Sequence, residues 1–180
     1  MKLLIASDIH GSAYFCTGLL ERIKLEQPDR VVLLGDILYH GPRNELPRDY
    51  APKKVIEQLN AIGDKLLAVR GNCDTEVDQM VLSFPIMAEY AAIFADGFMM
   101  YCVHGHKLGS GGDIPVSAGD IVLSGHTHIP LCEERDGVLY LNPGSVSIPK
   151  NGSPNSYMIY ENGKFLWKDL SGEVYLSCER

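Results

Sequence analysis

Asp8 and His10 stand one residue apart behind a short apolar run. Asp36, Asn72, His104, His126 and His128 follow along the chain, each just beyond another apolar stretch and usually beside a glycine. Alone, D-x-H is a weak signal. At a strand end, alternation sends Asp8 and His10 to one side while Ile9 points to the other, so both can enter one site. Together the seven residues offer carboxylate, amide and imidazole donors, a mixed oxygen and nitrogen set suited to manganese, iron, zinc or a similar divalent metal. A single structural zinc needs four ligands; seven suit two adjacent ions. Gly11, Gly35, Gly71, Gly105 and Gly125 permit the tight turns and close backbone approach that so crowded a centre demands. His40 lacks any such context and reads as a loop residue.

The elements that must position these groups are legible as apolar runs. Residues 2–7 read as a short buried strand, and 13–26 as a helix with Phe15, Leu19, Leu20 and Ile23 at helical spacing. Gln27-Pro28-Asp29 breaks that helix before a second strand over 30–34, which runs into Gly35-Asp36. A polar loop spans 40–51. Pro52 then opens a helix carrying Val55, Ile56, Leu59 and Ile62, with Gly63 as its stop. Strands are expected at 65–69, 98–103 and 120–123, delivering Gly71-Asn72, His104 and Gly125-His126. From Gly137 onward the chain turns to short strands at 138–141, 156–160, 164–170 and 174–176, with Glu161-Asn162-Gly163 as a hairpin turn. Alternating strands and helices followed by a run of strands predict two packed sheets with helices outside.

At 180 residues, with 46% hydrophobic and 22% charged residues, the chain suits one globular domain spanning 1–180. Sixteen basic against 23 acidic residues give a net charge of −7, which supplies no basic surface for strong nucleic-acid binding. Part of that negative charge belongs in a metal site, where bound cations reverse its local sign and admit an anionic substrate. Five cysteines without a C-x-x-C pair suggest neither a disulfide framework nor a zinc ribbon. The apolar run before Asp8 is too short for a signal-peptide core or a membrane span, so the expectation is a cytoplasmic protein with reduced thiols and no membrane partner.

Asp8-Ile9-His10-Gly11, Gly35-Asp36, Gly71-Asn72-Cys73-Asp74, Val103-His104-Gly105-His106 and Gly125-His126-Thr127-His128 resemble the successive motifs of the calcineurin-like metallophosphoesterases. Beyond them, Asn142-Pro143-Gly144-Ser145, His40-Gly41-Pro42-Arg43-Asn44 and residues 71–80 are similar to a small bacterial and archaeal phosphodiesterase branch of that family. The resemblance implies an α/β fold, a four-layer α/β/β/α sandwich of two mixed sheets flanked by helices. It implies that Asp8, His10 and His128 bind one metal, that Asn72, His104 and His126 bind the other, and that Asp36 bridges them. Asp36, Asn72 and His104 are the groups expected to bear most directly on catalysis. The implied reaction is hydrolysis of a small phosphodiester by a hydroxide activated between two divalent ions, with Mn2+ the first choice and Zn2+, Ni2+ or Fe2+ alternatives.

Cys73 departs from the commonest pattern of the family, in which a histidine at that place contacts phosphate and protonates the leaving group. A thiol is a poorer donor, and the expected preference is for diesters with good leaving groups. A covalent cysteine mechanism lacks support, because the residues after Cys73 include no arginine to cradle a phosphate. Arg43, Cys73 and His106 are the candidate substrate contacts; Arg43 offers two hydrogen bonds to phosphate oxygens, and an orienting bond to a ligand is an alternative task for His106. Asn142 and Ser145 are expected to shape the site through their turn. Two other functions share these motifs: a phosphomonoesterase acting on small phosphorylated metabolites, and a non-catalytic interaction scaffold like the retromer subunit of this fold. The family resemblance also makes a homo-oligomer plausible.

Overall fold

The computed structural model describes residues 1–107 and 114–180. Two mixed sheets pack face to face. The first contains β1 (Lys2–Ala6), β2 (Arg30–Leu33), β3 (Leu66–Ala68), β9 (Ser156–Glu161), β10 (Lys164–Asp169) and β11 (Val174–Glu179), in the order β11-β10-β9-β1-β2-β3. The second contains β4 (Tyr90–Ala95), β5 (Phe98–Val103), β6 (Ile121–Leu123), β7 (Leu131–Arg135) and β8 (Val138–Asn142), in the order β4-β5-β6-β8-β7. Strands β1, β2 and β3 run parallel, as do β5, β6 and β8, while β9, β10 and β11 in the first sheet and β4 and β7 in the second pair antiparallel.

Strand alternation sorts the side chains into layers. Leu3 and Ile5 of β1, Val32 of β2, and Met158 and Tyr160 of β9 meet Met100, Cys102, Ile121, Leu123 and Leu141 between the sheets. The alternate residues Leu4, Ala6, Val31, Leu33 and Ile159 face outward onto two helices, α1 (Ala13–Glu26) and α2 (Pro52–Asn60). Ser12 caps α1 by accepting the Phe15 N–H at 3.3 Å, and the helix buries Ala13, Cys16, Leu19 and Ile23. Proline opens α2 as its sequence predicts, and Val55 and Leu59 fill the groove beside α1. On the far side of the second sheet, the described residues contribute extended chain, with Ile114 and Val116 packed over Tyr101, Val122 and Val138.

Three elements lie outside the sequence expectations. A short helix, α3 (Glu76–Val81), starts at Thr75, whose side chain accepts the Asp78 N–H while Asp78 reciprocates at the Thr75 N–H. Strands β4 and β7 are the two edges of the second sheet. Elsewhere the expected strands are present within a few residues, and α2 ends at Asn60, followed by a 3-10 turn over Gly63–Lys65.

All six parallel strands bring their C-terminal ends to one edge of the sandwich, the usual place for a site in sheets of this kind. Asp8 and His10 follow β1, Asp36 follows β2, Asn72 follows β3, His104 follows β5, and His126 and His128 follow β6. The core and this edge are tied directly: Trp167, fully buried between the sheets, donates its indole N–H to the Asn142 carbonyl at the end of β8 at 2.6 Å.

Candidate metal centre

The turns that carry the site residues are zipped to one another by their backbones. Asp8 N–H donates to the Gly35 carbonyl at 3.1 Å, His10 N–H to Asp36 at 2.9 Å and Gly11 N–H to Ile37 at 2.9 Å. Asp8, His10, Asp36, His126 and His128 all take positive φ, between 48° and 67°. Such a conformation is strained for residues other than glycine and asparagine-like types, and clusters of it mark functional sites. The surroundings hold it in place. The hydroxyls of Ser145 and Ser147 both donate to the Asp8 carbonyl, at 2.8 and 3.0 Å, and Asn142 ties the same loop to Gly125 at 2.7 Å.

Asp74 plays a comparable part on the other side. Its buried carboxylate accepts backbone N–H groups from Asp36 (2.8 Å), Ile37 (2.9 Å) and Gly71 (2.7 Å), which locks the turn bearing Asp36 to the turn bearing Asn72. Gly71 is required there because a Cβ would stand 2.2 Å from Asp36 Oδ1. The motif containing Asp74 is visible in the sequence, but its clamp is not, since its partners lie 37 and 38 positions away.

Three imidazoles are oriented alike. His10 Nδ1 donates to the Tyr39 carbonyl at 2.7 Å, His104 Nδ1 to Leu34 at 2.6 Å and His128 Nδ1 to Ile148 at 2.6 Å. A carbonyl only accepts, so each Nδ1 carries a proton and each Nε2 is the atom turned inward, a donor to metal once it is deprotonated. His10 Nε2 and His128 Nε2 approach to 3.2 Å, and His104 Nε2 lies 3.0 Å from Asn72 Oδ1. Asp8 Oδ1 stands 3.2 Å from His128 Nε2 and 3.6 Å from His10 Nε2, and Asp36 Oδ2 lies between His10 Nε2 at 3.7 Å and His104 Nε2 at 3.4 Å. Acceptors crowded in this way repel one another unless a cation stands among them.

The electrostatics register the same demand. Burial alone would raise the Asp8 pKa, but the neighbouring His10, His128 and His104 imidazoles outweigh it and hold the carboxyl far below the usual range. Burial opposes a charge on His104, yet the hydrogen bond to Asp36 and the charges of Asp8 and Asp36 prevail and push the imidazole up to about 9. Burial, and then the neighbouring charge on His104, lowers the His126 pKa. Without metal the site therefore gathers protons where its acceptors converge.

This arrangement fits divalent metal ions. Asp8 Oδ1 is buried and has no hydrogen-bond partner. Asp8, His10 and His128 bring one donor atom each to within 4.8 Å of one another, and so do Asp8, Asp36 and His104. The donors are carboxylate oxygen, amide oxygen and imidazole nitrogen, matching the expectation from residue types. A third such group joins His10 and Asp36 to Cys73, whose thiol was not among the expected ligands. His126 supplies its backbone N–H to Asp8 Oδ2 at 3.0 Å, and its ring stands 5.1 Å from that of His104.

A cleft of about 470 Å3 opens onto this centre, lined by Asp36, Asn72, Cys73, His126 and His128 and, around them, Gly41 to Asn44, Thr127 and Lys150. Arg43 and Cys73 thus reach the cleft as expected. His106 sits beside the centre instead, its ring 5.4 Å from that of His104 and 6.1 Å from that of His126. His40 packs edge-on against Tyr39 and Tyr50, away from the donors. Lys150 is a cleft residue that sequence reasoning missed; nothing in its local sequence marks it.

The model of the calcineurin-like phosphoesterase superfamily domain matches residues 1–164. The chain belongs to that superfamily. It is a phosphoesterase of this class, whose members use divalent metals, and its two mixed sheets match the fold of its solved relative. Phosphodiesterase YfcE of Escherichia coli is 47% identical over 162 residues, covering 90% of this chain and 88% of that protein. The solved structure of that E. coli phosphoesterase superposes with a TM-score of 0.93 at 43% identity, covering 99% of both chains. Vps29 of Entamoeba histolytica, solved with zinc, shares the fold at a TM-score of 0.63 and 20% identity, covering 99% of both chains. Among the described residues no helix is long and apolar enough to cross a membrane.

Proposed function

We propose that this phosphoesterase is a phosphodiesterase that works with two divalent metal ions. Asp8, His10 and His128 would hold one ion, Asn72, His104 and His126 the other, and Asp36 would lie between them. The observation that carries the reading is the convergence of three inward-facing imidazole Nε2 atoms on the Asp8 and Asp36 carboxylates, with Asp8 Oδ1 buried and unpartnered. When bound, the ions supply Lewis acidity, acidifying water and neutralising charge that builds on phosphorus. Manganese is the first candidate, with zinc, nickel and iron suited to the same donors.

The chain's own groups set the preference for diesters. Arg43, at the cleft, donates to non-bridging phosphate oxygens. Burial and the Asp36 carboxylate push the Cys73 thiol up to about 12, so it is neither a thiolate nucleophile nor a ready proton donor at neutral pH. A leaving group must therefore depart with little protonation, which favours nitrophenolate-like groups. The phosphodiesterase activity named for the E. coli relative agrees with this.

Because the Vps29 fold also binds zinc, metal binding alone cannot establish catalysis; turnover must be measured. Chelator-stripped protein given manganese, zinc, nickel or magnesium is expected to hydrolyse bis(p-nitrophenyl) phosphate faster than p-nitrophenyl phosphate, and to be inert without metal. Full activity in metal-free protein would refute the metal mechanism, and a preference for the monoester would refute the diester assignment.

A further inference from the structure

Lys150 lines the cleft but has no part in the chemistry just described. It lies 22 positions after His128, and the fold returns it to that residue: Lys150 N–H donates to the His128 carbonyl at 3.1 Å. Its own carbonyl accepts from the Ser153 N–H at 3.1 Å and the Ser153 hydroxyl at 2.7 Å. The backbone is pinned on both sides, and the exposed ammonium rises from the His128 rim. Arg43 occupies the other rim, in a turn closed by Asn44 N–H to the Gly41 carbonyl at 3.4 Å, with Gly41 placed against Cys73.

Charge pairing divides the basic residues into two groups. Lys2, Lys54, Arg70, Lys107, Arg135, Lys164, Lys168 and Arg180 each meet a carboxylate within 4.0 Å. Half of the chain's 16 basic residues do not do so among the described residues, and of that half Arg43 and Lys150 are the two that line the cleft. A simple phosphodiester carries one negative charge. Two divalent ions held as proposed would outweigh the Asp8 and Asp36 charges, and Arg43 would add to them, so a further cation would have no task toward a monoanion. A cleft of about 470 Å3 has room for a ligand of nucleotide size.

We propose that the substrate is a phosphodiester bearing a second anionic group of the phosphate class, and that Lys150 is the specificity-determining residue that holds this group at the His128 rim. The proposal rests on the phosphodiesterase reading. It assigns Arg43 to the reacting phosphoryl group and Lys150 to the second charge, so the two cations have separable effects.

The test uses the manganese-loaded full chain and two substrates, thymidine 5′-(p-nitrophenyl phosphate) and the same ester carrying a 3′-phosphate. Leaving group and scissile linkage are identical, and only the second anion differs. The expected result is a kcat/KM about three- to fivefold higher for the 3′-phosphorylated ester, the size of a favourable solvent-exposed ion pairing, with the preference fading as ionic strength rises. Lys150→Gln brings the ratio close to one and Lys150→Glu inverts it, whereas Arg43→Gln lowers kcat/KM for both esters alike. Equal kcat/KM for the two esters in the unmodified protein, or an unchanged ratio in both Lys150 variants, overturns the proposal. If neither ester nor bis(p-nitrophenyl) phosphate is cleaved, the phosphodiesterase reading itself fails and the proposal with it.

Discussion

The proposed half-site of Asp8, His10 and His128 joins a carboxylate to two imidazoles and that of Asn72, His104 and His126 an amide to two imidazoles, and the chain holds the two sets very differently. In the first half all three residues are buried, with exposures of 0%, 1% and 2%. Both imidazoles are tethered through Nδ1, and Asp8 is gripped at its carbonyl by two hydroxyls and at its carboxylate by the His126 N–H. In the second half only His104 is comparably fixed. Asn72 is exposed and donates its amide to Cys73 Sγ at 3.2 Å, and His126 is half-buried, with no hydrogen bond to its ring among the described residues. A site whose ligands need no reordering binds more tightly, because the ordering entropy has already been lost on folding. On the two-metal reading proposed above, the first half would accordingly be a closed seat for a retained ion, and the second an adjustable one.

Asp36 lies between His10 of one proposed half and His104 of the other, so its loss tests them together. Asp36→Asn keeps the shape but removes the charge between His10 and His104. Losing an outer partner of a metal ligand costs about 10- to 100-fold in activity or affinity, and losing a shared carboxylate should exceed about 100-fold in kcat on bis(p-nitrophenyl) phosphate. Retention of turnover within tenfold would show that the halves do not act as one centre.

The pH dependence of metal uptake probes His104, with His10, whose pKa, despite burial, is raised by Asp8, acting in the same sense. Its folded-state pKa lies above the ordinary 6.5, at about 9. The stabilisation of metal-free protein by the protonated His104 beside Asp36 is thus fully present below 6.5 and is lost as pH rises through about 9. A metal that binds there must expel this proton, so affinity should rise by about tenfold per pH unit from 7 toward 9. The Tm difference between metal-loaded and metal-free protein should widen over the same interval. Titration of manganese by calorimetry at several pH values checks the slope; a flat profile would mean that His104 is neutral before metal arrives.

The contrast between the halves predicts unequal metal retention. His128→Ala opens the closed seat and His126→Ala alters the adjustable one. After gel filtration in metal-free buffer, His126→Ala should keep about one tightly held ion per chain, while His128→Ala should lose the retained ion, with a metal Kd weakened by at least about tenfold. Elemental analysis of both variants decides the matter, and the reverse ranking would assign tight binding to the wrong half.

These distinctions were only partly legible in the sequence. Residue types and their glycine neighbours pointed to all seven candidate ligands, because a donor at a strand end leaves a local signature of apolar run, turn and polar group. The clamp by Asp74, the Ser145 and Ser147 hydroxyls on Asp8 and the arrival of Lys150 at the cleft depend on contacts between distant segments, and leave no such signature. The missed elements have a related cause. Strand β7 reads Leu-Cys-Glu-Glu-Arg and is exposed over all but its first residue, so as an edge it shows no apolar alternation. Helix α3 buries none of its six residues and therefore lacks a periodic stripe, although its Thr75 and Asp78 capping pair is readable in retrospect.

Cys73 offers the smallest expected effect and the sharpest limit on the adjustable half. Its sulfur lies within 4.8 Å of donor atoms of both His10 and Asp36, close enough to be considered as a further ligand. Burial and the Asp36 charge favour the protonated thiol, however, and Asn72 already donates a hydrogen bond to Sγ. A neutral thiol is a weak donor to a metal, and the nitrogen and oxygen set around it is sufficient. The backbone N–H of Cys73, which donates to Asp36 Oδ1 at 2.7 Å, is the part that orients the shared carboxylate, and substitution of the side chain leaves that bond in place. Cys73→Ala should therefore preserve metal content and change kcat on bis(p-nitrophenyl) phosphate by less than about threefold, within the roughly 0.5 kcal/mol typical of substitutions that remove no essential contact. A loss approaching that of Asp36→Asn, accompanied by one fewer ion per chain, would instead make the thiolate a ligand and place a soft donor beside His10 and Asp36.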